Sequence, residues 1–290
     1  MVGLIIAIYY DIKCRFFRKV LKKRYVLKRI YDYWMYLDTE DRGISRTLLL
    51  FGDREADHKL IFEKAIREGM TVLDLGANLG YYVMMEKALV GKNGHIIAVE
   101  PVPSNVEILK RNVEMNKIEN IQILQMAGAG RDGTQTMYLT NTSNHHTFHK
   151  KGAGFLSGET IEVKTMTVPS LMRKYGKADL MRMDIQGHEV EVMNGMIEAI
   201  ERGEISPMIV FEVHRRYYGP DNDMAATLRS FFANGYHGRY VGSSTESGTK
   251  IVENMGYDGG PEIRTDFITR KVFENIEDEH LIDLVCHCGG

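Results

Sequence analysis

Cysteine, proline and net charge are all scarce in this chain of 290 residues. Its three cysteines are an odd set, which argues against a disulfide framework and indicates a reducing compartment. Six prolines and no low-complexity run argue against long unstructured linkers. A net charge of −2 argues against the strongly basic surface of a polyanion-binding protein. We therefore expect a cytoplasmic protein with no nucleic-acid partner.

The chain also lacks an apolar run that could cross a membrane. Residues 2–10 are apolar or glycine, well short of the roughly 20 residues of a spanning helix, and no basic segment precedes them as in a signal peptide. Apolar residues recur at helical spacing up to Trp34, and nine basic residues with no acid lie between Lys13 and Arg29. The pattern predicts a basic helical extension over residues 1–44. Residues 1–30 could lie on an anionic surface such as the inner membrane, or their apolar stripe could pack on the rest of the protein.

Beyond this extension, short apolar runs alternate with amphipathic segments, which is typical of a parallel sheet covered by helices. We predict a Rossmann-like α/β fold with a mostly parallel seven-stranded sheet and helices on both faces, over residues 45–275, followed by a C-terminal tail over 276–290. The predicted strands are 45–51, 71–75, 95–100, 121–125, 178–184, 207–213, 238–241 and 264–269. The predicted helices are 53–68, 81–88, 104–116, 168–174, 189–202 and 224–234. Residues 134–163 interrupt the alternation and predict an inserted hairpin with a polar tip.

A glycine-rich turn follows the strand at 71–75, where residues 74–82 read DLGANLGYY. Gly76 and Gly80 allow close approach of a ligand at the start of a helix, where backbone N–H groups are free. The spacing differs from the G-x-G-x-x-G turn that contacts a pyrophosphate. Asp74 would suit the amino group of a methionine moiety and would repel a pyrophosphate. The predicted cofactor contacts in this turn are Asp74, Gly76, Ala77, Asn78, Gly80 and Tyr81.

The next strand ends in Glu100 and Pro101, where a carboxylate can accept both hydroxyls of a ribose. A nicotinamide dinucleotide would share this feature, so Glu100 alone does not identify the cofactor. The acid before the glycines and the acid after the second strand together favour S-adenosylmethionine. An ordinary strand-to-helix turn would explain the glycines but not both acids.

These motifs resemble the FkbM family of methyltransferases. The resemblance covers residues 74–82, Glu100-Pro101, the MDIQGHE segment at 183–189 and the FEV segment at 211–213, in family order. It implies methyl transfer from S-adenosylmethionine to a hydroxyl of a sugar, glycan or natural product. It also implies that Met126 and Ala127 lie against the adenine and that Asp132 approaches the adenine amino group. Family members commonly carry a glutamate where this chain has Gln186.

Acids and histidines cluster after two predicted strands, at the edge where a parallel sheet binds its ligands. The candidate catalytic residues are Asp184, His188 and His214. Asp184, Glu212 and His214 could instead hold a divalent cation such as Mg²⁺, which would lower the pKa of an acceptor hydroxyl. Either histidine could also act as a general base without a metal. Asp184 could equally cap the following helix, and Glu212 and His214 could face away from the site.

Three further histidines, His145, His146 and His149, lie in the polar inserted segment, where we expect solvation or substrate contact rather than a metal site. Two other function classes remain open. A non-catalytic scaffold would have kept the fold without the chemistry, and an NAD-dependent oxidoreductase would need the missing pyrophosphate turn. A nucleic-acid methyltransferase would need an Asn/Asp-Pro-Pro-Tyr/Phe motif, where this chain has Asp184-Ile185-Gln186-Gly187. A homodimer is also open.

Overall fold

The computed structural model describes residues 2–20, 22–150, 156–265 and 268–287. The α-helices are α1 Val2–Lys19, α2 Ile44–Phe51, α3 Ala56–Ala65, α4 Tyr81–Val90, α5 Pro103–Met115, α6 Val168–Tyr175, α7 Glu189–Asn194, α8 Ile197–Glu201, α9 Met224–Ala233, α10 Glu246–Asn254 and α11 Asp278–Cys286. The strands are β1 Tyr25–Ile30, β2 Tyr33–Asp38, β3 Thr71–Leu75, β4 His95–Val99, β5 Ile121–Leu124, β6 Ala127–Gly128, β7 Gly133–Thr140, β8 Leu156–Met166, β9 Leu180–Met183, β10 Met208–Phe211, β11 Tyr240–Gly242, β12 Ile263–Thr265, β13 Ile268–Arg270 and β14 Val272–Glu274.

A parallel sheet of five strands, in the order β10-β9-β3-β4-β5, forms the centre of the described chain. Its strands lie within the apolar runs predicted for them, and side chains from both faces pack into large apolar cores. The chain reverses direction across the sheet between β3 and β9, so the carboxyl ends of these two strands open a crevice. The predicted α/β fold with a mostly parallel sheet is confirmed.

The prediction of seven strands in this sheet is wrong within the described residues. The late strand at 238–241 corresponds to β11, which pairs with β14, and the segment at 264–269 contains parts of β12 and β13, which pair with each other. These strands have three residues each, too few to bury much apolar surface, so they pair locally. Within the described residues, β10 therefore forms one edge of the central sheet.

The N-terminal extension is only partly helical. α1 is a helix as predicted, but residues 25–38 form the β1–β2 hairpin, because the buried residues Met35 and Leu37 recur at the two-residue period of a strand. The segment predicted as a strand at 45–51 is helix α2, whose buried Ile44 and Leu48 are four residues apart. The predicted C-terminal tail contains α11, which packs Ile282 into the apolar core, while Cys288 lies outside the described residues.

Two other predictions concern the segments that flank the sheet. The inserted hairpin is confirmed as β7 and β8, which pair antiparallel. The predicted helix at 189–202 is divided into α7 and α8, with Gly195 between them. Gly195 has no Cβ, so the backbone of Gly130 can approach it closely. A Cβ on Gly195 would lie 3.0 Å from the Gly130 Cα. Within the described residues, no helix has the length and apolar character that a membrane span requires.

Candidate functional site

The turn after β3 brings two loops into close contact at the carboxyl edge of the sheet. Gly76 has a φ of +87°, and a Cβ at this position would lie 2.1 Å from the carbonyl oxygen of Asp184. Gly80 has a φ of +91° and immediately precedes α4. Only glycine fits these two positions without strain, so the loop after β3 and the loop after β9 form adjacent walls of one site.

Glu100, immediately after β4, has its carboxylate fixed by three hydrogen-bond donors. The backbone N–H groups of Asn78 and Val102 each donate to it over 2.9 Å, and Asn105 Nδ2 donates over 3.2 Å. Burial raises the pKa of Glu100 to about 7, although these hydrogen bonds favour the charged form. A carboxylate offers about four acceptor positions, so one remains for a ligand.

A cavity of about 50 Å³ lies beside Glu100. It is lined by six of the predicted site residues, namely Gly76, Asn78, Glu100, Pro101, Ala127 and Asp184. The predicted cofactor contacts Asp74, Ala77, Gly80, Tyr81, Met126 and Asp132 do not line it. Tyr81 is instead buried, with its hydroxyl donating to the carbonyl oxygen of Arg54. Met126 belongs to the apolar core.

The tip of the inserted hairpin covers this cavity. Ser143, Asn144 and His146 line it, and the carbonyl oxygen of Ser143 accepts hydrogen bonds from the side chains of Asn78 and Asn105. About 50 Å³ holds little more than a water or two, so a nucleoside needs this segment to move outward. The hydroxyl of Ser143 and the carbonyl of the Asn144 side chain are buried without hydrogen-bond partners among the described residues, which leaves polar atoms for a ligand.

Asp74 forms a buried ion pair with Arg182 and does not line the cavity where the cofactor contact was predicted. Its side chain lies on the sheet face opposite Leu73 and Leu75, where Arg182 donates to it over 3.0 Å. The same guanidinium donates to Asp184 over 3.0 Å and lies 4.0 Å from the ring centroid of Tyr82. Arg182 was not among the predicted site residues, although a charged residue inside an apolar strand is itself a signal of buried ion pairing.

Asp132 is also placed away from the cavity. Its carboxylate accepts hydrogen bonds from the backbone N–H of Thr167 and from the hydroxyl of Ser170, at the start of α6. These hydrogen bonds lower the pKa of Asp132. The placement argues against the predicted contact with the adenine amino group.

Asp184, Glu212 and His214 come together, as the metal hypothesis requires. Asp184 follows β9, and the other two follow β10, so the parallel strands deliver all three to one edge. Their donor atoms lie within 4.8 Å of one another, and His214 Nε2 is 3.8 Å from Asp184 Oδ1. The side chains therefore face one another rather than opposite sides of the sheet.

The two acids of this cluster have opposite pKa shifts. Burial disfavours the charged form of Asp184, but the charge of Arg182 more than offsets it and lowers the pKa of Asp184 to about 2. Burial and the charges of Asp184 and Glu55 raise the pKa of Glu212 to about 8. One carboxyl is thus ionised at neutral pH while its neighbour holds a proton close to neutrality.

Gln186 connects the members of the cluster. Arg216 donates to its Oε1 over 3.1 Å, which directs its Nε2 toward Asp184 Oδ1 at 3.2 Å and His214 Nε2 at 2.8 Å. Burial opposes a charge on His214, whereas the hydrogen bond to Glu189 and the nearby acids favour one. Because Arg216 fixes the amide of Gln186, its N–H points at His214 Nε2 and excludes a proton there. His214 is then neutral, with its Nδ1 donating to Glu189 over 2.9 Å.

The remaining predicted histidines lie outside the Asp184–Glu212–His214 cluster. His188 immediately precedes α7 and does not line the cavity. It is 5% exposed, and its ring centroid lies 4.7 Å from that of Phe148. His145 contacts the Thr142 hydroxyl, and His146 Nδ1 accepts from the backbone N–H of Thr140. His149 Nε2 lies 2.9 Å from the carbonyl oxygen of Gly187. His214 is thus the candidate histidine beside Asp184.

A second and larger cavity, of about 780 Å³, lies between strand β10 and the segment that contains β11. Its walls combine apolar side chains such as Phe211 and Phe231 with polar groups, among them Glu55, His58 and Glu212. This cavity was not predicted from the sequence, because its walls come from segments far apart in the chain. Glu212 lines this cavity, and Asp184 lines the smaller one.

A family model and several known proteins are similar to this chain. The family model described as "Methyltransferase FkbM domain" matches residues 74–238, which is more than half of the chain. Methyltransferase sdnD of Sordaria araneosa is 25% identical over 171 residues, which cover 49% of this chain and 65% of that protein. A protein-L-isoaspartate O-methyltransferase of Methanothrix thermoacetophila is 39% identical over 59 residues, which cover 20% of this chain and 28% of that relative.

A solved structure of a methyltransferase from Aquifex aeolicus, described as SAM-dependent, has 16% sequence identity and a TM-score of 0.35, and covers 82% of this chain and 95% of its own. The family match includes the glycine turn, Glu100, Asp184 and the cluster after β10. The chain therefore belongs to the FkbM methyltransferase family, whose methyl donor is S-adenosylmethionine.

Proposed function

We propose that the protein transfers a methyl group from S-adenosylmethionine to a hydroxyl of a cavity-sized acceptor, such as a sugar unit of a glycan or a natural product. One observation carries the proposal. The Asp184–Glu212–His214 cluster lies between two cavities, with Asp184 in the wall of the smaller and Glu212 in the wall of the larger. The larger cavity, at about 780 Å³, has the size of a small-molecule site.

Bound S-adenosylmethionine supplies the methyl group as a sulfonium, and the chain must supply orientation and a place for a proton. A hydroxyl that enters from the larger cavity meets Glu212 and Asp184. Transfer would place the methyl group on the hydroxyl oxygen as the carbon–sulfur bond breaks, and the single hydroxyl proton would pass to Glu212 in the ionised form that it takes above its pKa of about 8. Arg182 keeps Asp184 ionised, and the charge of Asp184 raises the pKa of Glu212, which makes Glu212 the stronger base.

The residues of the cluster suit a divalent cation only in part. Two carboxylates and an imidazole are acceptable ligands, but the amide nitrogen of Gln186 already donates to Asp184 and His214 at the position that an ion would need. Where a glutamate stands at this position, a third anionic group would attract the ion. In this chain the amide takes that place, so we propose that methyl transfer needs no added Mg²⁺.

The proposal is tested by the release of S-adenosylhomocysteine from full-length protein with panels of hydroxylated acceptors. Free sugars, glycans and polyketide-like alcohols form one panel, and RNA and unfolded protein form the other, each with Mg²⁺ or with a chelator. We expect turnover only in the first panel, unchanged by the chelator and at least about 100-fold slower in Asp184→Asn. Turnover only with RNA or protein would contradict the acceptor class, and turnover only with Mg²⁺ would contradict the role of Gln186.

We also propose that α1 contacts an anionic membrane surface. Ile12 and Phe16 in α1, and Val20 just after it, are each at least half exposed, so this part of the predicted apolar stripe does not pack on the rest of the described chain. Basic residues flank it, among them Arg15, Arg18 and Lys19. Such a helix binds by apolar burial plus attraction to anionic lipid.

Sedimentation with vesicles tests this surface. We expect binding to vesicles that contain phosphatidylserine, which falls with added salt and is lost in Ile12→Glu/Phe16→Glu. Vesicles of phosphatidylcholine alone are the matched control. Equal sedimentation of wild type and the double variant would contradict the proposal.

A further inference from the structure

A second group of potential metal ligands lies outside the cluster between the cavities. It consists of His149, in the segment between β7 and β8, His188 immediately before α7, and Glu191 within α7. Glu191 Oε1 is 3.5 Å from His188 Nδ1 and 3.6 Å from His149 Nε2. All three donor atoms lie within 4.8 Å of one another.

His188 is buried without the hydrogen bonds that its ring requires. The residue is 5% exposed, and neither ring nitrogen has a hydrogen-bond partner among the described residues. Glu191 Oε2 is also buried and unpaired. Burial of an unsatisfied polar group is costly, so these atoms indicate a ligand that satisfies them. The rings of Phe148 and His149, with centroids 4.7 and 5.8 Å from that of His188, hold the imidazole in place.

We infer that His149, His188 and Glu191 bind a zinc ion, with the fourth position open to water. Two imidazoles and one carboxylate are a common set of three protein ligands for Zn²⁺. With metal–ligand bonds of about 2.0–2.1 Å, tetrahedral donors stand about 3.3 Å apart. The separations of 3.5 and 3.6 Å from Glu191 are close to that value, and the two imidazole nitrogens, which lie within 4.8 Å of each other, would move closer together to complete the site. His149 Nε2 exchanges its contact with the Gly187 carbonyl for the ion.

The position of this site links it to the cofactor cavity. Phe148, the neighbour of His149, lines that cavity, and so does Gln186, which precedes His188 by two residues. The zinc ion joins the inserted segment to the loop before α7, which are two walls of the same cavity. This role is distinct from the proposed methyl transfer, which uses neither His149 nor Glu191.

The test uses full-length protein freed of metal by a chelator and then titrated with Zn²⁺ against a competing indicator. His149→Ala and Glu191→Gln are the test variants, because both side chains are partly exposed and tolerate change better than His188. His237→Ala, an exposed histidine paired with Asp278, is the matched control. Glu212→Gln reports on the other cluster. The stoichiometry, the dissociation constant and the visible absorption of bound Co²⁺ are measured.

We expect one zinc ion per chain in wild type. The dissociation constant should be at least about 100-fold larger in both test variants, because loss of an outer-shell partner alone costs about 10–100-fold and each variant loses a direct ligand. His237→Ala and Glu212→Gln should bind as wild type does. Test variants that bind zinc as tightly as wild type would overturn the inference. So would loss of the ion in Glu212→Gln alone, which would assign it to the other cluster, or an absence of binding by wild type.

Discussion

The two halves of the carboxyl edge of the sheet are organised by different means. Around Glu100, backbone N–H groups of Asn78 and Val102 fix the carboxylate. Around Asp184, side chains fix one another, through Arg182 on one side and Gln186 on the other. A site built by the backbone tolerates changes in neighbouring side chains, whereas a network of buried charges depends on each member. The comparison predicts that single substitutions will have different consequences in the two halves.

The largest effect is expected from Arg182→Met, which leaves Asp74 and Asp184 buried without their cation. Breaking a buried ion pair in this way costs about 3–5 kcal/mol. Unfolding in urea measures the free energy of unfolding. Arg229→Met is the matched control, because Arg229 pairs with Glu279 at the surface and its loss should cost no more than about 1 kcal/mol. Equal losses in the two variants would remove the distinction between the halves.

Asp184→Asn and Glu212→Gln should separate catalysis from cofactor binding. We expect kcat to fall by about 10²–10⁴-fold, the range for loss of a group that positions or accepts a proton. The dissociation constant of S-adenosylmethionine should change by less than about threefold, about 0.7 kcal/mol, because Glu100 stays intact. Steady-state kinetics and calorimetry measure the two quantities. A loss of cofactor binding that matches the loss of kcat would show that the halves are not independent.

Glu100→Gln should give the converse result, since the amide cannot accept a ribose hydroxyl and also keep its donors. We expect S-adenosylmethionine to bind at least about 10-fold more weakly, because a hydrogen bond to a charged group contributes about 1.5–3 kcal/mol. Asp132→Asn is the control, as Asp132 does not line the cavity. If Asp132→Asn weakened binding as much as Glu100→Gln, the placement of both acids would be contradicted.

The smallest effect is a pH dependence of cofactor affinity. Because the pKa of Glu100 is raised to about 7, its carboxylate form grows as the pH rises from 6 to 8. Ribose hydroxyls prefer the carboxylate, so affinity should rise about tenfold over this interval in wild type and stay flat in Glu100→Gln.

The stability of the free protein should follow the opposite sign. The folded state holds the Glu100 proton more tightly than the unfolded chain, whose pKa is about 4.3. The contribution of Glu100 to stability is therefore present at low pH and is lost as the pH rises from about 4 to about 7. Thermal unfolding at a series of pH values, in wild type and Glu100→Gln, measures it. If the melting temperature of wild type fell no more than that of the variant between about pH 4 and about pH 7, the raised pKa would be contradicted.

The same comparison explains what the sequence could predict. The glycine turn and Glu100 were readable because each is fixed by backbone geometry within a short segment. Arg182 and Gln186 were missed because their roles depend on contacts between segments far apart in the chain. Asp74 was misplaced for a related reason, since its strand position placed it near the ligand edge while alternation turned its side chain toward the opposite face. Residues 25–38 were predicted as helix because strand and helix periods overlap in short aromatic segments.

The covered cavity beside Glu100 has a kinetic consequence. With Ser143 held by Asn78 and Asn105, only the fraction of molecules in which this segment has moved outward can accept S-adenosylmethionine. The apparent affinity is reduced by that fraction. Rapid-mixing experiments should therefore show an observed binding rate that approaches a plateau at high cofactor concentration, set by the opening of the segment. The same opening would govern departure of S-adenosylhomocysteine, so turnover under saturating conditions could report the motion of a loop rather than the transfer of a methyl group.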